Sequence, residues 1–246
     1  MAGIDTVTFD LWQTLIVDSP EVAKKRGGQR VHGVFEALSQ DGCHTTLQQV
    51  RDAYKKCWEV CDKIRSAERD VTFDEQVTIF LQSISPGLDR TITPETRSLV
   101  TRKYSDPFLE VPPTIEEGAA LVLSTVREKG YKVGLICNTG ATPGYMQRVF
   151  LEKQGLLKYF HTLTFSDEER LSKPAAEIFI RTLERLDARP DRTVHVGDHP
   201  KNDVTGAKRV GMKAIWLTRG SEQPEVPPDA RIDKLVEALG AIAKLE

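Results

Sequence analysis

Three carboxylates and one lysine stand at points where the chain changes character. Asp10 closes the run Val7-Thr8-Phe9, Asp198 follows Val194-His195-Val196-Gly197, Asp203 comes shortly after, and Lys173 precedes Pro174. A β-branched and aromatic run ending in an acid reads as a buried strand that delivers the acid to the end of a sheet. Open α/β sheets place their chemistry at the carboxyl ends of parallel strands. Each residue taken singly also fits a turn, a helix start or a solvated surface. Brought together, three carboxylates repel one another and require shared protons or a cation. Oxygen donors suit a hard ion, with Mg²⁺, waters and a substrate phosphate as the usual set. A neighbouring lysine would hold an anionic substrate and balance a carboxylate nucleophile. The expected partner is therefore a small anionic molecule.

These groups converge only if the right elements carry them. After the first strand, residues 20–106 show helical patterns alone. Val31, Val34, Phe35 and Leu38 form one stripe, closed by Asp41-Gly42, and a break or bend is expected just upstream at Gly27-Gly28. Thr45-x-x-Gln48 is expected to cap the helix that carries the stripe from Val50 to Ile64. Thr72-x-x-Glu75 and Thr93-Pro94 open two more helices. Beyond a proline cluster at Pro107, Pro112 and Pro113, helix and strand alternate. Thr114-x-x-Glu117 is expected to cap a helix ended by Gly130, and strands are expected at 132–137, 161–165, 193–196 and 213–217, with helices between and after them. Such alternation implies a parallel sheet with right-handed crossovers. The helical run is too long for one crossover. The expected architecture is an α/β doubly wound parallel-sheet core from residues 1–16 and 111–246, with an all-helical cap from residues 17–110 over the sheet's carboxyl edge.

Composition narrows the function classes. The chain has 246 residues, 34 basic against 36 acidic and a formal charge of −2, with the signs interspersed. This argues against a nucleic-acid or membrane surface. No secretion signal or spanning segment is evident, so a cytoplasmic location is expected. Cys43, Cys57, Cys61 and Cys137 form no Cys-x-x-Cys pair, and Cys57 and Cys61 lie on an apolar stripe that favours packing over metal binding.

The pieces Phe9-Asp10-x-x-x-Thr14-Leu15, Cys137-Asn138 at a strand end, Ser172-Lys173-Pro174 and Val196-Gly197-Asp198-x-x-x-Asn202-Asp203 occur in this order along the chain. Together they resemble the haloacid dehalogenase-like hydrolases over nearly the whole sequence, inserted helical cap included. The resemblance implies that Asp10 is a nucleophile forming a covalent aspartyl intermediate that water then hydrolyses. It implies Mg²⁺ held by the Asp10 carboxylate, the Trp12 backbone carbonyl and Asp198, with Asp203 binding through water or orienting the other ligands. By the same resemblance Lys173 clamps the nucleophile, Thr14 fixes the turn and hydrogen-bonds near Asp10, and Cys137 and Asn138 fall where the phosphoryl group binds.

Three departures from the family pattern shape the expected chemistry. Trp12 stands where the family's phosphatases usually carry a second aspartate as general acid and base, a function typically worth a factor of about 10²–10⁴. Indole cannot supply that proton, so substrates with good leaving groups fit best: acyl phosphates, aryl phosphates, or a halide leaving carbon. Gln13 replaces a residue that is usually small, and Cys137 replaces a serine or threonine. A metal-independent 2-haloacid dehalogenase is the rival within this fold, although two further acids beside Asp10 are costly without a cation. A catalytically weak module that binds a phosphorylated ligand is the rival from another class. His199 is a candidate source of the missing proton, and Arg26 and Arg30 are candidates to meet an anionic substrate in the cleft.

Overall fold

The structure is a computed structural model, and residues 3–220 and 222–245 are described. In chain order the first elements are β1 (Thr6–Phe9), β2 (Ile16–Val17), α1 (Pro20–Gln40), α2 (Leu47–Ser66), α3 (Phe73–Ile84), α4 (Leu88–Thr91), α5 (Pro94–Ser105) and α6 (Pro107–Glu110). Then come β3 (Thr114–Ile115), α7 (Ala119–Glu128), β4 (Lys132–Cys137), α8 (Gly144–Lys153), β5 (Thr162–Phe165) and α9 (Ser166–Glu169). The chain closes with α10 (Ala176–Leu186), β6 (Thr193–Gly197), α11 (Gly206–Arg209), β7 (Lys213–Leu217), β8 (Ala230–Ile232) and α12 (Ala238–Leu245). No helix among the described residues is long and apolar enough to cross a membrane.

Six strands form one parallel sheet in the order β5-β4-β1-β6-β7-β8. The chain winds outward from β1 to one edge, then returns to build the other side beginning with β6. The reversal lies between β1 and β6, the switch point where doubly wound sheets open a crevice beyond their carboxyl ends. Strand side chains alternate between two apolar layers, as period-2 geometry requires. Val133, Leu135 and Cys137 of β4 pack with one layer and Ile136 with the other. On β7, Ile215 and Leu217 take the first layer while Ala214 and Trp216 take the second.

Helices α1 to α5 enclose an apolar core of their own, built from Val31, Val34, Leu38, Val50, Phe80, Val100 and Tyr104 among others. Cys57 and Cys61 are buried in it, in keeping with the packing expectation. Local chemistry sets the helix starts. Ser19 accepts from the Val22 N–H ahead of α1, Thr72 and Glu75 form a reciprocal capping box for α3, and Thr93 caps α5 with Pro94 at its first position.

Several boundaries differ from the expectation. The cap of α2 is Thr46 with Gln49, one residue beyond Thr45 and Gln48. Helix α1 runs unbroken through Gly27-Gly28. Each glycine costs about 1 kcal/mol in a helix interior, and packing against α5 and α2 together with the α1 arginine contacts described below outweighs it. Thr114 caps no helix: β3 pairs antiparallel with β2, so the two segments joining the bundle to the sheet hydrogen-bond to each other. Helix α7 starts after Gly118, which sits at φ 82°. Strands of two or three residues, such as β2, β3 and β8, are too short to show a period.

Candidate active site

The sheet ladder carries Asp10 to its place, because its N–H donates to the Val196 carbonyl at 2.9 Å and so extends the β1–β6 pairing by one residue. The chain then turns tightly. The N–H groups of Leu15 and Ile16 return to the Leu11 carbonyl at 2.9 and 3.0 Å, and Gln13 occupies φ 59°. A left-handed conformation is costly for a residue with a Cβ, which accounts for a small residue being usual at this position. The Gln13 amide is turned away from the acids and donates to the Asp18 carbonyl at 3.2 Å.

Lys173 is the hub of the cluster. Its Nζ donates to Asp10 Oδ1 at 2.6 Å, to Asp203 Oδ1 at 2.7 Å and to the Ile136 carbonyl at 2.7 Å, so all three ammonium protons are used. Burial opposes its charge, but Asp10 and Asp203 hold its pKa above the ordinary lysine range. Asp203 is saturated as well. Beyond Lys173, its Oδ1 meets His195 Nε2 at 3.2 Å, and its Oδ2 accepts the His199 N–H at 2.9 Å. Burial works against the Asp203 anion, yet Lys173 and His195 bring its pKa well below the usual carboxylate range.

His195, in the interior of β6, reads as a satisfied core histidine, and the structure agrees. It pairs with Thr8 in the β1–β6 register, and their side chains meet at 2.8 Å through Nδ1 and Oγ1. Burial lowers its pKa more than Asp203 raises it. A neutral ring donating through Nε2 to Asp203 and accepting the Thr8 hydroxyl proton satisfies every partner. The signal was in the sequence: two polar residues at matching depth on neighbouring buried strands.

Asp198 leaves the end of β6 with its carbonyl accepting from the Trp216 indole at 2.8 Å. Burial comes first, followed by the charges of Asp10 and Asp203, in pushing its carboxyl up to about 8. One oxygen from each of Asp10, Asp198 and Asp203 can be chosen so that all three lie within 4.8 Å of one another. Burial likewise raises Asp10, with Lys173 pulling down and Asp203 pushing up. Asp10 Oδ2 is buried and has no hydrogen-bond partner. An orphaned carboxylate oxygen beside two more acids fits a hard divalent cation. Gly197 makes the crowding feasible, since a Cβ there would lie 2.3 Å from the Asp203 carboxyl carbon.

The other expected residues are placed as follows. Asn138 does not point its amide at open space: its Nδ2 donates to the Lys173 carbonyl at 3.1 Å and its Oδ1 accepts the Lys173 N–H at 2.8 Å. Cys137 is buried and its thiol donates to Gln147 Oε1 at 3.1 Å; burial, then the Asp10 charge, push it well above the usual thiol range. Thr14 is buried and its hydroxyl has no hydrogen-bond partner, so it makes no bond to Asp10. His199 caps the turn after β6 by accepting the Lys201 and Asn202 N–H groups at 3.2 and 3.3 Å through Nδ1. Trp12 is half-buried, 5.8 Å from the Phe108 ring, and lies within the turn that follows Asp10.

A second network joins the bundle to this edge. Asp70, in the loop between α2 and α3, accepts from Ser166 at 2.6 Å and from Arg65 at 3.1 Å. Ser166 in turn accepts the Thr139 N–H at 2.9 Å, and Arg65 donates to the Gly140 carbonyl at 3.0 Å. Backbone bonds run alongside, from Asp70 N–H to the Arg170 carbonyl at 3.1 Å and from Ser172 N–H to the Glu68 carbonyl at 3.3 Å.

Comparison with known proteins points the same way. Residues 4–211 match the family model of the haloacid dehalogenase-like hydrolases. A glyceraldehyde 3-phosphate phosphatase of Methanopyrus kandleri is 31% identical over 148 residues, covering 58% of this chain and 59% of that protein. The chain thus spans little more than half of that relative. An HAD phosphatase from Thermococcus onnurineus superposes over 99% of both chains with TM-score 0.63 and 27% identity. A 2-haloacid dehalogenase from Pseudomonas syringae superposes over 99% of this chain and 100% of its own with TM-score 0.72; at 21% identity this speaks for the fold alone. With the acids gathered at the switch point of such a sheet, and the family model matching residues 4–211 of the 246, the chain belongs to the haloacid dehalogenase-like hydrolases.

Proposed function

We propose that the protein is a Mg²⁺-dependent phosphohydrolase that attacks a small phosphorylated substrate through Asp10. The observation that carries this reading is the asymmetry of the Asp10 carboxylate: Oδ1 is held by Lys173 at 2.6 Å, while Oδ2 is buried without a partner. One oxygen fixes the geometry and the other is left for chemistry. Relatives named as phosphatases support the substrate class.

In this reading the Asp10 carboxylate attacks phosphorus, the bond to the leaving oxygen breaks, and an aspartyl phosphate forms. Water then attacks phosphorus, phosphate departs and the carboxylate is restored. Lys173 orients Asp10 and counters the rise in its pKa that burial brings. Asn138 holds the Lys173 backbone, so it acts on the nucleophile at one remove. Asp10, Asp198 and the Trp12 carbonyl are the groups that would hold Mg²⁺, with Asp203 binding through water or orienting them; the ion would neutralise the acids and polarise the phosphoryl group when bound. Trp12 offers no proton to a leaving alkoxide, and His199 uses Nδ1 to cap its turn. With no carboxylic acid at position 12, leaving groups that depart without a proton are favoured, which selects acyl and aryl phosphates. Residues 17–110 form the cap that closes over this edge.

The test is phosphate release from acetyl phosphate and 4-nitrophenyl phosphate, with Mg²⁺ and with excess chelator, beside halide release from 2-chloropropionate. Phosphate release that stops in chelator and returns with Mg²⁺ is the expected result. Phosphate release unaffected by chelator, or halide release without metal, overturns it.

A further inference from the structure

Between the bundle and the sheet edge lies a cavity of about 300 Å³, with Trp12, Tyr54 and Trp58 in its walls and Asn138 on the side of the sheet. A second cavity, of about 350 Å³ and reaching Lys173, shares Trp58, Asn138 and Gly140 with it, so the two spaces adjoin. Arg26 and Arg30, on successive turns of α1, both line the first cavity and both are buried.

Their partners differ. Arg26 is neutralised by Asp18, at 2.8 Å through one terminal nitrogen and 3.1 Å through the other, and it also donates to the Val111 carbonyl. Arg30 meets only neutral groups: its Nε donates to the Tyr104 carbonyl at 2.8 Å, and its terminal nitrogens donate to the Tyr54 hydroxyl at 3.3 Å and the Thr142 hydroxyl at 2.9 Å. Its guanidinium carbon lies 5.5 Å from the centre of the Tyr104 ring. Among the described residues no carboxylate pairs with it. Of five N–H donors three are engaged, which leaves one on each terminal nitrogen. A buried cation is unfavourable unless its charge is answered, and these contacts hold the fork still without answering it.

We propose that Arg30 is the specificity-determining anchor for a carboxylate carried by the leaving group of the substrate, whose apolar body lies against the aromatic walls. This rests on the phosphohydrolase reading given above. One donor on each arm of a fixed fork matches the two oxygens of a carboxylate. A single unanswered positive charge matches a monoanion, since the neighbouring Arg26–Asp18 pair adds no net charge to the wall. The preferred substrate is accordingly a carboxylated aryl or acyl phosphate.

The probes are 4-carboxyphenyl phosphate and its methyl ester, assayed with Mg²⁺. The ester carries the better leaving group, so a preference for the acid belongs to the protein. The wild type is expected to favour the acid in kcat/KM on the order of 10-fold or more, and Arg30→Gln to lose that ratio. A wild-type ratio at or below one overturns the proposal, as does a ratio unchanged in a folded Arg30→Gln variant. The wild-type ratio decides by itself if the variant does not fold. If neither probe is hydrolysed while acetyl phosphate is, the anchor is overturned; if acetyl phosphate is not hydrolysed either, the phosphohydrolase reading fails, and an NMR titration of the wild type decides the anchor separately. Benzoate is then expected to shift the indole N–H signals of Trp12 and Trp58 while benzamide does not, and equal responses or none overturn the anchor.

Discussion

The acidic cluster at the sheet edge and the aromatic cleft under the bundle treat buried charge in opposite ways. At the edge, Lys173 lies between Asp10 and Asp203, and Asp203 is further held by His195 and a backbone N–H. In the cleft, Arg26 has its carboxylate and Arg30, one turn along the same helix, has none. A crowded, cross-braced set of charges holds one geometry for one reaction. An isolated, braced charge waits for a counterpart from outside. The contrast suggests that chemistry and choice of substrate are assigned to different parts of the fold.

The largest expected effect tests the braced side. Asp10→Asn keeps the shape but removes the nucleophile, and phosphate release is expected to fall about 10⁴-fold or more; near-normal turnover would mean another group attacks. Lys173→Met leaves two buried acids facing each other, and urea melts should show a loss of about 3–5 kcal/mol. If stability hardly changes, the cluster is less tightly bound together than its distances imply. Gly197→Ala forces a methyl against Asp203, at an expected cost of about 1–3 kcal/mol and with weaker Mg²⁺ binding by calorimetry.

The pH dependence of the metal-free protein sharpens the same point. Asp198 titrates near 8 when folded, far above its unfolded value, so its protonated form favours the fold. That stabilisation is complete below the unfolded pKa and is lost as pH rises through about 8. Melting temperature in chelator should therefore fall from pH 5 to pH 8.5, and Asp198→Asn should flatten the slope. A slope unchanged by that substitution would assign the titration elsewhere. The smallest effect separates the two arginines. Arg26→Met strands the Asp18 carboxylate, whereas Arg30→Met strands no charge, so the former should be less stable by about 1–2 kcal/mol in matched melts.

Much of this arrangement is legible in the sequence. Buried strands declare themselves by β-branched runs, so Asp10 and Asp198 could be placed at strand ends, while Asp203, in the turn after β6, needed the family resemblance as well. Capping boxes at Thr72 and Pro94 following Thr93 were equally legible, because their chemistry is local. What escaped depended on remote partners. Asn138 looks like any polar residue after a strand until Lys173 comes beside it, and Cys137 falls where the phosphoryl group is expected until its thiol is seen to donate to Gln147. Thr114 fits a capping pattern, but pairing with β2 claims its backbone first. The difference between Arg26 and Arg30 is invisible in sequence, since it turns on Asp18 folding back to one and not the other.

The backbone bonds linking residues 68–70 to 170–172 end one peptide short of Lys173. Lifting the helices from the sheet would break that splice beside the lysine whose ammonium holds Asp10. The seam between bundle and sheet and the brace on the carboxylate thus share one short stretch of backbone.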